Sequence, residues 1–331
     1  MPKWQAVPLA RIDHTSVQQW ITALGEGLAP ATVAQCHRIM SAVMRAAVWD
    51  RLIAASPCEG IRLPKLRRTA EGGQTVSRLE FAVLLPQVPH RWRALVAVAG
   101  GTGLRWGECV GLRWDVVDLD RATVTVIRVA VEVAGHVTDK AYPKSRAGRR
   151  TVPLPPFAVE QLRAHRKHYD PGPSGQVFTN EVGGPPRRTL FRARVWRPSL
   201  VRAELLGSVQ QVGPRAWRAS WTTAEGRIES IECFTRTSAV AAVARSASGG
   251  LRFHDLRHSY ATWLVSDGVP INDVQRVMGH EQASTTLNMY THAASETDTR
   301  RRVLGAFAAS SLPSEAQQEP AAEEEGEADA V

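Results

Sequence analysis

The sequence predicts a mainly helical α+β fold in two domains, with a small antiparallel sheet and a ββα insertion in the larger domain. Apolar residues recur at helical spacing near both ends of the chain, and one β-branched run, 123–133, breaks that spacing in the middle. Proline and glycine fall where such elements begin and end. At 331 residues and 44% apolar content there is material for about two cores.

In chain order, Asp13 or Thr15 caps a helix carrying Val17, Trp20, Ile21 and Leu24 on one face, stopped by Gly25 and Gly27. Pro30 precedes a longer helix with apolar positions Val33, Ile39, Met40, Val43, Met44, Ala47 and Val48. These make a helical domain at 1–66, and the basic, glycine-ended run that follows reads as a linker at 67–75. The larger domain, 76–310, opens on Ser77-Arg78-Leu79-Glu80, a capping box. Helices are expected at 79–87, 91–100 and 105–112. Strands follow in 123–133 and 149–154 around a turn near Gly135. Pro155-Pro156 opens a helix to about Tyr169.

The insertion, 208–247, reads as a strand at 217–221, a turn at Gly226, a strand at 227–234 and an alanine-rich helix capped by Ser238. Alternation puts Trp217, Ala219 and Trp221 on one strand face and Arg218 on the other. Helices then return at 255–266 and at 271–278, the latter ended by Gly279. A short helix starts at Ser284 or Thr285 and runs to Tyr290, and another spans 299–308 with Val303, Leu304 and Phe307 on one side. The last stretch, 311–331, is a disordered acidic tail.

Charge narrows the function. The net charge is +9, and the seven acids and no base of 311–331 leave +16 on residues 1–310. A basic body with an acidic tail points to a polyanion partner, nucleic acid being the commonest. No apolar run approaches the roughly 20 residues of a membrane span. The cysteines Cys36, Cys58, Cys109 and Cys233 are far apart, which fits free thiols in a reducing compartment better than a zinc site or a disulfide frame.

Four segments hold polar residues where packing does not ask for them: GTGLRWGE around Arg105, the turn PKSRAGRR around Lys144, HDLRH with His254 and Arg257, and GH at His280 followed ten residues on by Tyr290. Each has a bland reading alone. Arg105 can simply pair with Glu108, Lys144 can be solvated, His280 can be a helix-end cation and Tyr290 a half-buried ring. His254 and His258, at i and i+4, have no third residue at metal-ligand spacing. Together they form a set for metal-free transfer at a phosphodiester. Guanidinium forks suit the non-bridging oxygens, a phenol is a nucleophile and a lysine can protonate the leaving oxygen.

The ordered string Arg105, Lys144, His254-x-x-Arg257, His280, Tyr290, with the phrases "GTGLRWGE", "HDLRHSYATWLVSDGV" and "VQRVMGHEQASTTLNMYTHA", resembles the tyrosine recombinase (phage integrase) family over about 76–308. The resemblance implies a catalytic domain preceded by a helical core-binding domain of the SAM-like kind. It implies a site-specific recombinase in which Tyr290 forms a 3′-phosphotyrosine, Arg105 and Arg257 clamp the phosphate, His280 donates to it, Lys144 is the general acid and His254 assists at Tyr290. Lys140 is a rival to Lys144. No cofactor, metal or ATP is implied. The implied partners are double-stranded DNA, a homotetramer on two sites and DNA-bending proteins, in the cytoplasm at the nucleoid.

Lys65, Arg67 and Arg68 in the linker and Arg218 and Arg227 in the insertion are the expected further DNA contacts. The insertion resembles the family's arm-type binding module, normally N-terminal; a solvent-facing flap is the alternative. The family also carries more chain ahead of the position of Leu9, so a truncated start or a reduced DNA clamp is expected. The competing functions are a non-catalytic DNA-binding remnant and a type IB topoisomerase-like relaxing enzyme.

Overall fold

The computed structural model describes residues 3–65, 74–141 and 149–279. Lys144, His280 and Tyr290, Arg67 and Arg68 of the linker, the two helices expected after Gly279 and the acidic tail lie outside the described residues. The chain divides into two compact units, Met1–Glu71 and Gly72–Val331.

The first unit is built on α1 (His14–Gly27) and α2 (Pro30–Trp49). Asp13 caps α1, its Oδ1 accepting the Ser16 N–H at 2.7 Å, and Pro30 sits in the first turn of α2. The helix runs through Gly25 and ends at Gly27, the second of the two glycines expected to stop it. Val17, Ile21, Val33, Met40 and Met44 form the core. Ile39 and Val43, expected inside, are 56% and 51% exposed. Two apolar stripes on one helix cannot both face a single neighbour, and α1 covers the Met40–Met44 side. Gln18 fastens the chain that follows α2 through a donor–acceptor pair with the Arg62 backbone.

The second unit begins with α3 (Arg78–Gln87), α4 (His90–Thr102) and α5 (Trp106–Val110). The capping box at Ser77 and Glu80 forms as the sequence requires. Strands β1 (Val117–Asp118), β2 (Thr123–Val126), β3 (Arg128–Val133), β4 (His136–Ala141) and β5 (Arg150–Pro153) follow. The 123–133 run does not stay in one sheet. β2 joins an antiparallel sheet ordered β1-β2-β5, while β3 forms a hairpin with β4. The break comes because β3 packs on α5, where Gly107 leaves no side chain between helix and strand. A Cβ there would lie 2.5 Å from the Ala130 carbonyl oxygen.

Next come α6 (Pro156–His168), α7 (Arg188–Phe191), a π-helical turn (Arg192–Trp196) and α8 (Arg197–Arg202). The insertion then holds β6 (Ser208–Gly213), β7 (Ala216–Thr222), β8 (Ile228–Cys233) and α9 (Arg236–Ser246). It is therefore βββα and not ββα. Strand β6 lacks an apolar alternation and shows in the sequence only as a glycine-ended polar run, yet it pairs with β7 through Ser208↔Ser220 to Gln211↔Trp217. The cap of α9 is Thr235, with Ser238 three residues in, closing a capping box. As expected, Ala219 and Trp221 are buried under α9 and Arg218 faces out. The insertion shares the main core through Val240 and Val243. Buried Arg197 donates to the carbonyls of Ala244, Ala247 and Gly249, closing the end of α9 against α8.

The last described elements are α10 (Asp255–Ser266) and α11 (Ile271–Met278), which ends on Gly279 at φ 62°. Trp196, Phe178, Leu84, Leu95, Leu162, Leu200 and Leu256 are the largest apolar side chains fully buried in the main core. Among the described residues no helix is long and apolar enough to cross a membrane. All four cysteines are free, Cys58 and Cys109 buried, Cys36 and Cys233 half-buried.

Candidate active site

Helix α4 ends in a left-handed residue, Gly103 at φ 64°, where a Cβ would lie 2.5 Å from the Tyr260 ring. Only glycine fits there. The turn it makes delivers Arg105 to the N-cap of α5. The Arg105 backbone N–H donates to Glu108 Oε2 at 2.9 Å and its Nη1 to Oε1 at 2.9 Å. The ion pair with Glu108 is thus real, but it orients Arg105 without burying it. Its side chain stays 36% exposed while Glu108 is fully buried.

Arg257, on the first turn of α10, is 3% exposed. Its Nη1 donates to the Gly103 carbonyl at 2.7 Å and its Nη2 to the carbonyl of Met278, the last residue of α11. The same glycine that positions Arg105 therefore receives Arg257, 154 residues away in sequence. His254 is the N-cap of α10 and lines, with Arg105, an open cleft of about 610 Å³. Trp106, Val129, Glu132, Arg188 and Phe253 are among its other walls.

Burial, then the charges of His258, Arg257 and Arg105, push the His254 imidazole down to about 4, with Asp255 opposing. The residue nonetheless keeps an exposed edge towards the cleft. A neutral imidazole at pH 7 is a proton acceptor. The His258 ring lies edge-on at 5.2 Å, and Asp255, buried, is bound by Arg252 at 2.8 Å.

The other expected residues divide into three groups. Lys140, on β4, is exposed and stands opposite Val129, so both project from the same face of the hairpin as the cleft wall. Lys65 is exposed in the first unit; Arg218 and Arg227 are exposed on the insertion, Arg218 at 3.5 Å from Glu232. Of the four tyrosines, Tyr260 is buried, with its phenol pushed up by burial, and the Tyr169 hydroxyl is engaged by His90 at 2.9 Å. Neither lines the cleft. Among the described residues, no group of His, Cys, Asp and Glu is arranged to hold a metal.

Two arginines at this site escaped the sequence reading. Arg188 lines the cleft from the start of α7. Arg150 is 7% exposed and bonds Glu108. The signal for Arg150 is that it occupies an inward position of an alternating strand, in line with Val152 and Leu154.

Residues 82–297, about two thirds of the chain, match the phage integrase family. A tyrosine recombinase XerC-like protein of Caldanaerobacter subterraneus subsp. tengcongensis is 25% identical over 298 residues, covering 85% of this chain and 67% of the relative. The prophage integrase IntR of Escherichia coli is 26% identical over 269 residues, 80% of this chain and 58% of its own. The chain spans about two thirds of the length of the curated relatives it matches. The Tn1549 transposon integrase, solved in complex with transposon right end DNA, superposes with a TM-score of 0.64 at 18% identity over 91% of this chain and 87% of that one. At that identity the likeness is one of fold.

Proposed function

The chain belongs to the phage integrase family, and from that membership we propose that it is a site-specific DNA recombinase, cutting and rejoining strands of duplex DNA through a phosphotyrosine at Tyr290. The observation that carries this reading is that Arg105 and His254, from two distant segments, line one cleft, with Arg257 buried beside them and bonded to the Gly103 carbonyl of the Arg105 turn. Residues 1–66 act as a core-binding domain, Lys65, Arg67 and Arg68 add backbone contacts, and four copies assemble on two DNA sites with bending proteins as accessories.

In the reaction the Tyr290 oxygen bonds to phosphorus, the bond to the 5′-oxygen breaks, and the 3′-phosphate stays on the protein. Neutral His254 takes up the phenolic proton, and Lys144 delivers one to the departing 5′-oxygen. Arg105 and Arg257, with His280, face the charge that grows on the non-bridging oxygens. The phosphotyrosine keeps the bond energy, so a second strand's 5′-hydroxyl reverses the step without ATP.

The test starts by letting the protein select its site from random duplexes and placing two copies on a supercoiled plasmid. Recombinant product supports the proposal. Relaxation without recombination makes it a type IB-like enzyme, and binding without either makes it a DNA-binding remnant.

Lys144→Ala should slow cleavage by about 10²–10⁴-fold, the range for a positioned acid. A substrate with sulfur in the bridging position leaves without a proton and should restore the rate. Sulfur that helps wild type and variant equally would turn attention to Lys140, which shares a hairpin face with the cleft wall.

The low His254 pKa fixes the sign of a pH effect. As the pH falls, cleavage at sub-saturating DNA, which reports the free protein, should pass unchanged through the ordinary imidazole range and drop only towards about 4. Protonation at that point removes the acceptor. An acid limb centred near the ordinary 6.5 that vanishes in His254→Gln would contradict this assignment.

The insertion is proposed to hold flanking DNA with the open face of its sheet. Gln210, Arg218 and Glu232 stand in line across β6, β7 and β8 on the side away from α9. Arg218→Ala with Arg227→Ala should weaken binding to long site DNA and reduce its salt dependence by up to about two counterions. Cleavage of a minimal site should hardly change. Equal affinities of both proteins for long and short DNA at every salt would make the insertion a flap.

A further inference from the structure

Arg150 is a buried cation that the reaction as written does not use. It opens β5, six residues after Lys144, with its side chain 5% exposed. A guanidinium held this dry needs partners for its charge and its donors. Nη2 donates to Glu108 Oε2 at 2.8 Å, Nη1 to Glu108 Oε1 at 3.2 Å and Nε to the Val277 carbonyl at 2.7 Å. Glu108 thus lies between two arginines, each reaching both of its oxygens. Val277 is in α11, three residues before His280.

The charges explain why a second arginine is needed. Arg105 paired with Glu108 alone would be a neutral couple, a weak attractor for a phosphate. With Arg150 the three side chains sum to one net positive charge, and Arg105 is the exposed member. Part of the rotamer freedom that Arg105 would otherwise lose on meeting the substrate is already given up to Glu108. Arg150 also joins three segments: the Arg105 turn through Glu108, strand β5, which follows Lys144 in sequence, and the end of α11, which precedes His280.

We propose that Arg150 is a positioning residue for strand cleavage, holding Arg105 through Glu108 and the α11 end through Val277. This rests on the recombinase reading. The test combines Arg150→Met, Arg150→Lys, Arg105→Ala and the Arg105→Ala/Arg150→Met pair. Single-turnover adduct formation at saturating DNA is measured together with DNA affinity and thermal midpoint. Arg150→Met should lose about 10²-fold in rate, the scale of a small misplacement of a reacting group, with affinity within about threefold. Arg150→Lys should recover part of the loss, because it keeps the charge but not the fork.

In the Arg105→Ala background Arg150→Met should cost less than about threefold more, since residues acting as one unit are not additive. The same loss in both backgrounds, or a loss matched by affinity, overturns the proposal. If Arg150→Met does not fold, Glu108→Gln with Arg150→Met removes both buried charges, which proteins tolerate better than one. It should fold and still lose the rate; a wild-type rate overturns the proposal. A wild type that forms no adduct sinks the recombinase reading instead. Positioning is then read from the ¹⁵N guanidinium resonance of Arg105, sharp in wild type and broadened in Arg150→Met; an unchanged resonance overturns it.

Discussion

Tyr290→Phe forms no covalent protein–DNA adduct on a nicked suicide substrate, while its affinity for duplex DNA stays within about twofold of wild type. The substitution removes one oxygen and leaves the ring. Duplex affinity is spread over many cations, and the loss of one neutral hydroxyl hardly touches it. Denaturing gels beside a binding titration make the measurement. The natural control is Tyr142→Phe, because Tyr169 and Tyr260 are engaged or buried away from the cleft. An adduct of ordinary yield from Tyr290→Phe, lost in Tyr142→Phe, would move the nucleophile.

Arg257→Ala is expected to lose both chemistry and stability, unlike Arg105→Ala. Arg257 is buried and bonds the carbonyls of Gly103 and Met278. Its removal leaves two acceptors without their donor, at about 1–3 kcal/mol each, and loosens the turn that carries Arg105. Cleavage should fall by about 10³-fold or more, above the usual cost of one donor to a developing oxyanion. The thermal midpoint should drop by several degrees. Arg105, 36% exposed, should cost rate with little change in the midpoint. Arg257→Lys keeps a charge but cannot reach both carbonyls, so it should regain little. Equal midpoints for the two alanine variants would show that Arg257 is no structural link.

Much of the fold was legible because its ends are written in local chemistry. The capping box at Ser77 and Glu80, the proline at the head of α2 and the left-handed Gly279 each answer to a few neighbouring atoms. Strand β6 was not legible, since its place comes from pairing with β7 and not from its own pattern. The split between β2 and β3 depends on Gly107 meeting Ala130, a contact between distant segments. At the site, Arg105, His254 and Arg257 stood out as polar residues where packing asks for none. Arg150 did not, because in sequence it continues a basic turn; its inward position is visible only once β5 has paired with β2. Ile39 and Val43 show the reverse error, apolar residues at core spacing that the fold leaves outside.

The most direct test of the account is the chemistry of the wild-type adduct. The protein is trapped on a nicked suicide substrate labelled on either side of the scissile phosphate, digested, and the DNA-bearing peptide sequenced by mass spectrometry. The account predicts that the peptide contains Tyr290, joined to the 3′-phosphate end, and that the released strand carries a 5′-hydroxyl open to phosphorylation by a kinase. An adduct joined to a 5′-end, or a peptide carrying Tyr142, Tyr169 or Tyr260 in place of Tyr290, would contradict it.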